Sequence, residues 1–373
     1  MKLWAKTLSF IGAVLGLSLA VPLHAQDYAI TRTKTGLSLS GPSCSKLLEQ
    51  KEGLCSWRAQ LNEPASLGSS TCSSSTSLAL NSCLPSFVNT YHKKQLYKFG
   101  PNCWGTALFL KAMSKAPRFV YPQEMLYWLE SPLCRKLAKD ESKMPGDIIN
   151  VFAPEYKGSP SDYEENDAGT DFWKALYPGR YTRAVQNPNG SNYTGFHTIF
   201  HSVTLASPEL VFGKDSQLNE DRFYLHALME TYGRPRTESE CQENSDLQAH
   251  LREYQKVPRN IKGEKCAYFT NAYRCQNFEQ FFYSQNLTEE QKNIFQEINS
   301  LGESQKLLFP YVTQKGYALT STQRREIKAM AQIKSQQALD ELKQRPQDKI
   351  SEMLITLKYF SAEALKTSLE QSE

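Results

Sequence analysis

Hydrophobic spacing divides the chain into a mixed middle and a helical end. "CWGTALFLKAM" repeats Trp104, Leu108 and Ala112 at helical spacing, and Ala107, Leu110 and Met113 widen the stripe into a helix buried on most sides. Asn102, after the Gly100–Pro101 turn, is its predicted N-cap. "PQEMLYWLESPLC" predicts a second helix. Pro145, Gly146 and Asp147 then turn the chain into "IINVF", a β-rich run. Phe200 to Leu205 and "ELVFG" predict two strands joined by "ASP". From about residue 287 the pattern is helical, opening on a Thr288 cap with Ile294, Ile298 and Leu301 on one face. Two more helices, separated by Pro346, carry the stripes Ile327, Met330, Leu339, Leu342 and Ile350, Met353, Leu354, Leu357.

The first 25 residues read differently. Two lysines precede the uncharged run "TLSFIGAVLGLSLAV", and Ala25 supplies a small residue for cleavage, as in a secretory signal peptide. The run has 15 residues, short of the roughly 20 that span a bilayer. The expected location is the periplasm or the exterior of a bacterial cell, with no integral membrane segment after cleavage. The formal charge of +4 falls to +2 once Lys2 and Lys6 leave, too little to argue for nucleic acid. No phosphate loop, metal cluster or cofactor motif stands out.

All nine cysteines follow the leader. Cysteines tend to pair in an oxidising compartment, and an odd count leaves one over. Local pairs, Cys44 with Cys55 and Cys72 with Cys83, are the expectation for the polar N-terminal stretch. Cys103 differs from the rest because it occupies the first turn of the "CWGTALFLKAM" helix. Unpaired N–H groups and the helix dipole favour a thiolate there, so the expectation is a free thiol titrating below an ordinary cysteine. The rival reading is a buried or disulfide-bonded cysteine. A nucleophilic cysteine needs a base, and "FHTIFHSVTL" offers His197 and His201, four apart.

Taken together, "NCWGTAL", "PGDIINVF" and "HSVTLASPELVFGK" resemble, in this order, the NlpC-type papain-like cysteine peptidases, which cut peptide or amide bonds in bacterial cell-wall material. The resemblance covers roughly residues 91–235. It implies an α+β fold: a papain-like core with a small antiparallel sheet and a helix carrying the nucleophile, here joined to an α-helical C-terminal module. It implies a Cys103 nucleophile and a His201 base acting on a peptidoglycan-derived peptide or a protein. The family's third polar residue falls where this chain has Phe212 and Gly213, which cannot orient an imidazole. Asp215, just beyond, is the better chemical choice, and a solvated turn residue is its equal rival. Asp147 reads as a turn cap rather than a catalytic acid.

The expected organisation is a leader at 1–25, a Ser/Cys-rich extension at 26–90, a peptidase domain at 91–285 with an insertion at 153–195, and a helical region at 286–373. Polar, loop-like chain is expected near 153–195 and 280–320. Two other readings use the same residues. "NCW" and the His201–Asp215 interval also resemble transglutaminase-like enzymes, in which an amine replaces water as acyl acceptor. A non-catalytic binding protein could keep the same fold.

Overall fold

The computed structural model describes residues 28–34, 36–68, 77–138, 140–153, 168–176, 198–214, 222–227 and 269–372. The predicted leader lies outside them. The fold is mixed α+β with two antiparallel sheets and a helical C-terminal region. The smaller sheet pairs β1 (Ala29–Thr33), β2 (Gly36–Ser40) and β3 (Ser77–Ala79) in that order. Helix α1 (Cys44–Gln60) lies between β2 and β3 in the chain, and α2 (Ser86–Tyr91) follows.

The larger sheet has the order β4-β9-β5-β6-β7-β8, with β4 (Cys134–Lys136), β5 (Ile148–Ala153), β6 (Thr198–Leu205), β7 (Leu210–Lys214), β8 (Phe223–Ala227) and β9 (Phe269–Cys275). Strands β5 and β6 pair from Ile148–Thr204 to Val151–His201, where the register shifts at a bulge. Strands β6 and β7 pair at Thr204–Phe212 and Leu205–Val211. Side chains alternate between faces along each strand. On one face Ile148 joins Ala107 and Leu108 of α3 (Cys103–Phe109) in a core shared with α4 (Pro122–Glu130) and α5 (Ala168–Leu176). On the other, Ile149, Val203, Leu205, Val211 and Ala272 form a separate cluster with Leu137.

The C-terminal helices form where the spacing predicts them. After α6 (Phe278–Tyr283) come α7 (Glu289–Thr313), α8 (Ser321–Lys343) and α9 (Lys349–Glu370). Both α7 and α8 open on capping boxes, Thr288 with Gln291 and Thr320 with Gln323. Helix α9 is buried on nearly every side from Met353 to Leu365. Even Lys358 is 3% exposed, its ammonium held by Glu297 at 2.8 Å and Glu341 at 3.1 Å. Residues 280–320, expected to be loop-like, are therefore largely helix. The stripes also reach further than an appended module would: Met353, Leu354 and Phe360 share the core of α3 and β5.

The N-terminal extension is likewise part of the body. Tyr28, Leu39, Leu47 and Trp57 share one apolar cluster with Phe212 and Leu225 of the large sheet and with Leu301 and Leu365 of the C-terminal helices. The disulfides correct the local pairing expected above. Cys44 and Cys55 both lie in α1, 11 residues apart, which at 1.5 Å per residue separates them by about 16 Å, beyond disulfide reach. Cys55 bonds instead to Cys83, and Cys134 to Cys275. Cys44 is also disulfide-bonded, to a cysteine outside the described residues.

Cys134–Cys275 joins directly opposed residues of β4 and β9 and is separated by 141 residues of chain. A loop that long strongly restricts the unfolded chain. Cys134→Ser with Cys275→Ser is therefore expected to lower stability by about 2–5 kcal/mol, read from urea unfolding. A loss below about 1 kcal/mol would contradict this account.

Candidate active site

Helix α3 begins where Asn102 ends an extended segment. Its Oδ1 accepts from the Gly105 N–H at 3.0 Å, as the N-cap reading expects. The same amide donates to the Val120 carbonyl at 2.7 Å, tying the helix start to the segment before α4. Gly105 lets that segment approach, since a Cβ there would lie 1.7 Å from the Arg118 carbonyl oxygen. The helix is shorter than its stripe suggests. It ends at Phe109, and Ala112 adopts a φ of 57° that breaks the helical path.

Cys103 is the free cysteine among the described residues and is 4% exposed. Burial pushes its thiol up to about 12. The N–H groups of Ser202, Trp104 and Cys103 itself, together with the Lys214 charge, oppose that rise without overcoming it. The expected low-titrating thiol is thus corrected: the helix start supplies donors, but desolvation costs a thiolate more than they return.

Strand alternation decides what faces the sulfur. Leu210, Phe212 and Lys214 are in phase on β7, and Phe212 belongs to the main core rather than to the Val203 cluster. On β5 and β6 the matching positions are Asn150, Ser202 and Thr204, all fully buried. The Ser202 hydroxyl donates to Asn150 Oδ1, whereas Asn150 Nδ2 and Thr204 Oγ1 have no hydrogen-bond partner among the described residues. A polar patch of this kind under a helix is costly unless it is used. His201 is out of phase with it. Paired to Val151 and two residues from Val203, its buried side chain belongs to the opposite face of the sheet.

The structure therefore brings Cys103 together with Ser202 and Lys214, and not with the His201 imidazole. Asp215 and His197 lie outside the described residues. Asp147 is the turn cap expected: its Oδ2 accepts from the Met144 N–H at 2.7 Å, and its carboxylate binds Arg274 through Nε at 3.0 Å and Nη2 at 2.9 Å. Lys214, Asn150 and Ser202 were not singled out by motif. The signal available for Lys214 was its phase, a lysine two and four residues from core-facing Phe212 and Leu210.

His92, just before α3, has a structural task. Its Nδ1 accepts from the Leu225 N–H at 3.0 Å, so the ring is neutral and links the end of α2 to β8. Burial, followed by the nearby Lys93 and Arg32 charges, lowers it to about 4. A depressed histidine contributes stability that is present above its unfolded value and lost as pH falls towards its folded one. Stability is expected to drop by about 3 kcal/mol between pH 6.5 and 4, and His92→Gln should flatten that slope. An unchanged slope in the variant would reject this assignment.

Among the described residues, no group of three His, Cys, Asp or Glu side chains could hold a metal ion, and no helix is long and apolar enough to cross a membrane. No family model matches the chain, and neither a curated protein nor a solved structure matches it.

Proposed function

We propose that the chain is a cysteine peptidase or amidase acting on peptide or amide bonds of cell-wall peptidoglycan, outside the cytoplasm, with Cys103 as nucleophile. The observation that carries this reading is a lone free thiol at a capped helix start, where backbone N–H groups have no partner within the helix, set against a central strand in a chain whose other described cysteines are oxidised. A cysteine-bearing helix packed on an antiparallel sheet supports a papain-like core, and the disulfides support an oxidising location.

In this reading the Cys103 thiolate attacks an amide carbonyl and the N–H donors stabilise the tetrahedral oxyanion. The amine leaves with a proton delivered by the base, and water then releases the acyl group from sulfur. His201 is the base the family resemblance implies, and Asp215 is the chemical choice for the group that orients it. His201 faces away from the sulfur, so it serves only if the strand end beside the bulge turns over.

A second reading, a non-catalytic protein on the same fold, is favoured by one observation: the thiol is buried and held near 12. Release of amine from a peptidoglycan-derived peptide by the mature protein, lost in Cys103→Ala, tests the first reading against the second.

A further inference from the structure

We propose that Lys214 is the positioning residue of the Cys103 thiol, its buried ammonium standing on the α3 face of the sheet where β6 and β7 part and favouring loss of the sulfur's proton when the site opens. This inference rests on the reading of Cys103 as a working thiol. Three observations place the two groups together. Lys214 is 0% exposed, which is rare for a lysine and keeps its side chain inside the protein. Its phase on β7, with Leu210 and Phe212, aims it at the helices rather than at the Val203 cluster. The β6–β7 ladder runs through Thr204–Phe212 and, continued by one pleat, sets Lys214 across from Ser202 on the face against which α3 packs on both strands.

Among the described residues, the other groups that act on the sulfur are uncharged. From α3 come only the N–H groups of Cys103 and Trp104, and from β6 the Ser202 N–H. From β5, Asn150 contributes an amide, bonded to the Ser202 hydroxyl. His201 belongs to the other face. Lys214 is therefore the charged group, among the described residues, that acts on the thiol. An ammonium at this place favours loss of the Sγ proton to solvent or to a base. The arrangement differs from a cysteine–histidine pair, in which the partner takes the proton. It suits a thiol kept neutral while buried and charged once a substrate or a partner loosens its cover.

The test is the rate of Cys103 carbamidomethylation by iodoacetamide in the mature, disulfide-intact protein from pH 6 to 10, read by mass spectrometry. No turnover is needed, so failure of the peptidase reading and failure of this one are separate results. Lys214→Met should slow labelling at pH 8 about tenfold or more, equivalent to an upward shift of about one pH unit or more. Lys214→Arg should stay within about threefold of the parent. Parent-like labelling in Lys214→Met, labelling in Lys214→Arg as slow as in Lys214→Met, or a parent thiol that takes no label at any pH would each overturn the proposal. If Lys214→Met fails to fold, the Lys214 Cε resonance of isotope-labelled parent decides. It should move with the Cys103 titration and stay still in Cys103→Ser, and equal behaviour in both would overturn the assignment.

Discussion

Cys103→Ala is expected to cut the release of amine from a peptidoglycan-derived peptide by at least about 10⁴-fold, because removing a nucleophile removes the covalent route and leaves only residual catalysis from binding. The fold should survive the change. Cys103 is small and unbonded, and its sulfur lies between a capped helix and a strand that other side chains hold together. Thermal unfolding of the variant should therefore stay within about 1 kcal/mol of the parent. The histidines sharpen the comparison. If His201 is the base, His201→Ala is as inactive as Cys103→Ala while His197→Ala retains most of its rate. An active His201→Ala beside a dead His197→Ala would move the base to His197. Asp215→Asn should slow the reaction if that carboxylate orients the imidazole and do nothing if it is a turn residue. Full activity in Cys103→Ala would remove the thiol from the chemistry altogether and end the peptidase reading.

The largest loss of stability is expected at Glu124, which no sequence motif marks. Arg118 and Glu124 form a bidentate ion pair beside α3, with side chains 5% and 0% exposed. The carboxylate also accepts from Trp128 Nε1 at 3.2 Å, and Arg118 donates to the Phe119 carbonyl at 3.0 Å. Removing one partner strands the other charge in a low-dielectric site, so Glu124→Ala should cost about 3–5 kcal/mol, measured by urea unfolding at neutral pH. Replacing both, as Arg118→Met with Glu124→Leu, should recover most of that loss, because two packed apolar side chains leave no orphan charge. A double variant as unstable as the single one would show that the pair itself, rather than the orphan, carries the stability. The Arg118 carbonyl sits against Gly105, so the cost should extend to α3 and slow any reaction of Cys103.

Much of the local structure was legible because its causes are local. The Asn102 cap, the Asp147 turn, the "IINVF" strand and the three long C-terminal helices all depend on side chains within a few residues of where they act. The position of Cys103 at a helix start belongs with these, as does its freedom from a disulfide, which the odd cysteine count anticipated. The disulfide partners were not legible. Loop length between cysteines says nothing about a helix such as α1 holding Cys44 and Cys55 about three turns apart. The depth of the C-terminal helices in the core was also hidden, since an amphipathic stripe does not say what covers it.

By itself the sequence determined the α+β succession of elements, the caps and turns that bound them, and a single thiol set apart from the other cysteines. Only the tertiary structure decided what that thiol meets. Which face of β6 and β7 packs on α3 is a matter of register and sheet assembly, and a shift of one residue exchanges His201 for Ser202 beneath the helix. The observed register puts Ser202 and Lys214 on that side and seals the sulfur from water. Desolvation then acts over the whole surroundings of the atom, whereas helix-start N–H groups act over one turn, so the larger effect set the thiol's proton affinity.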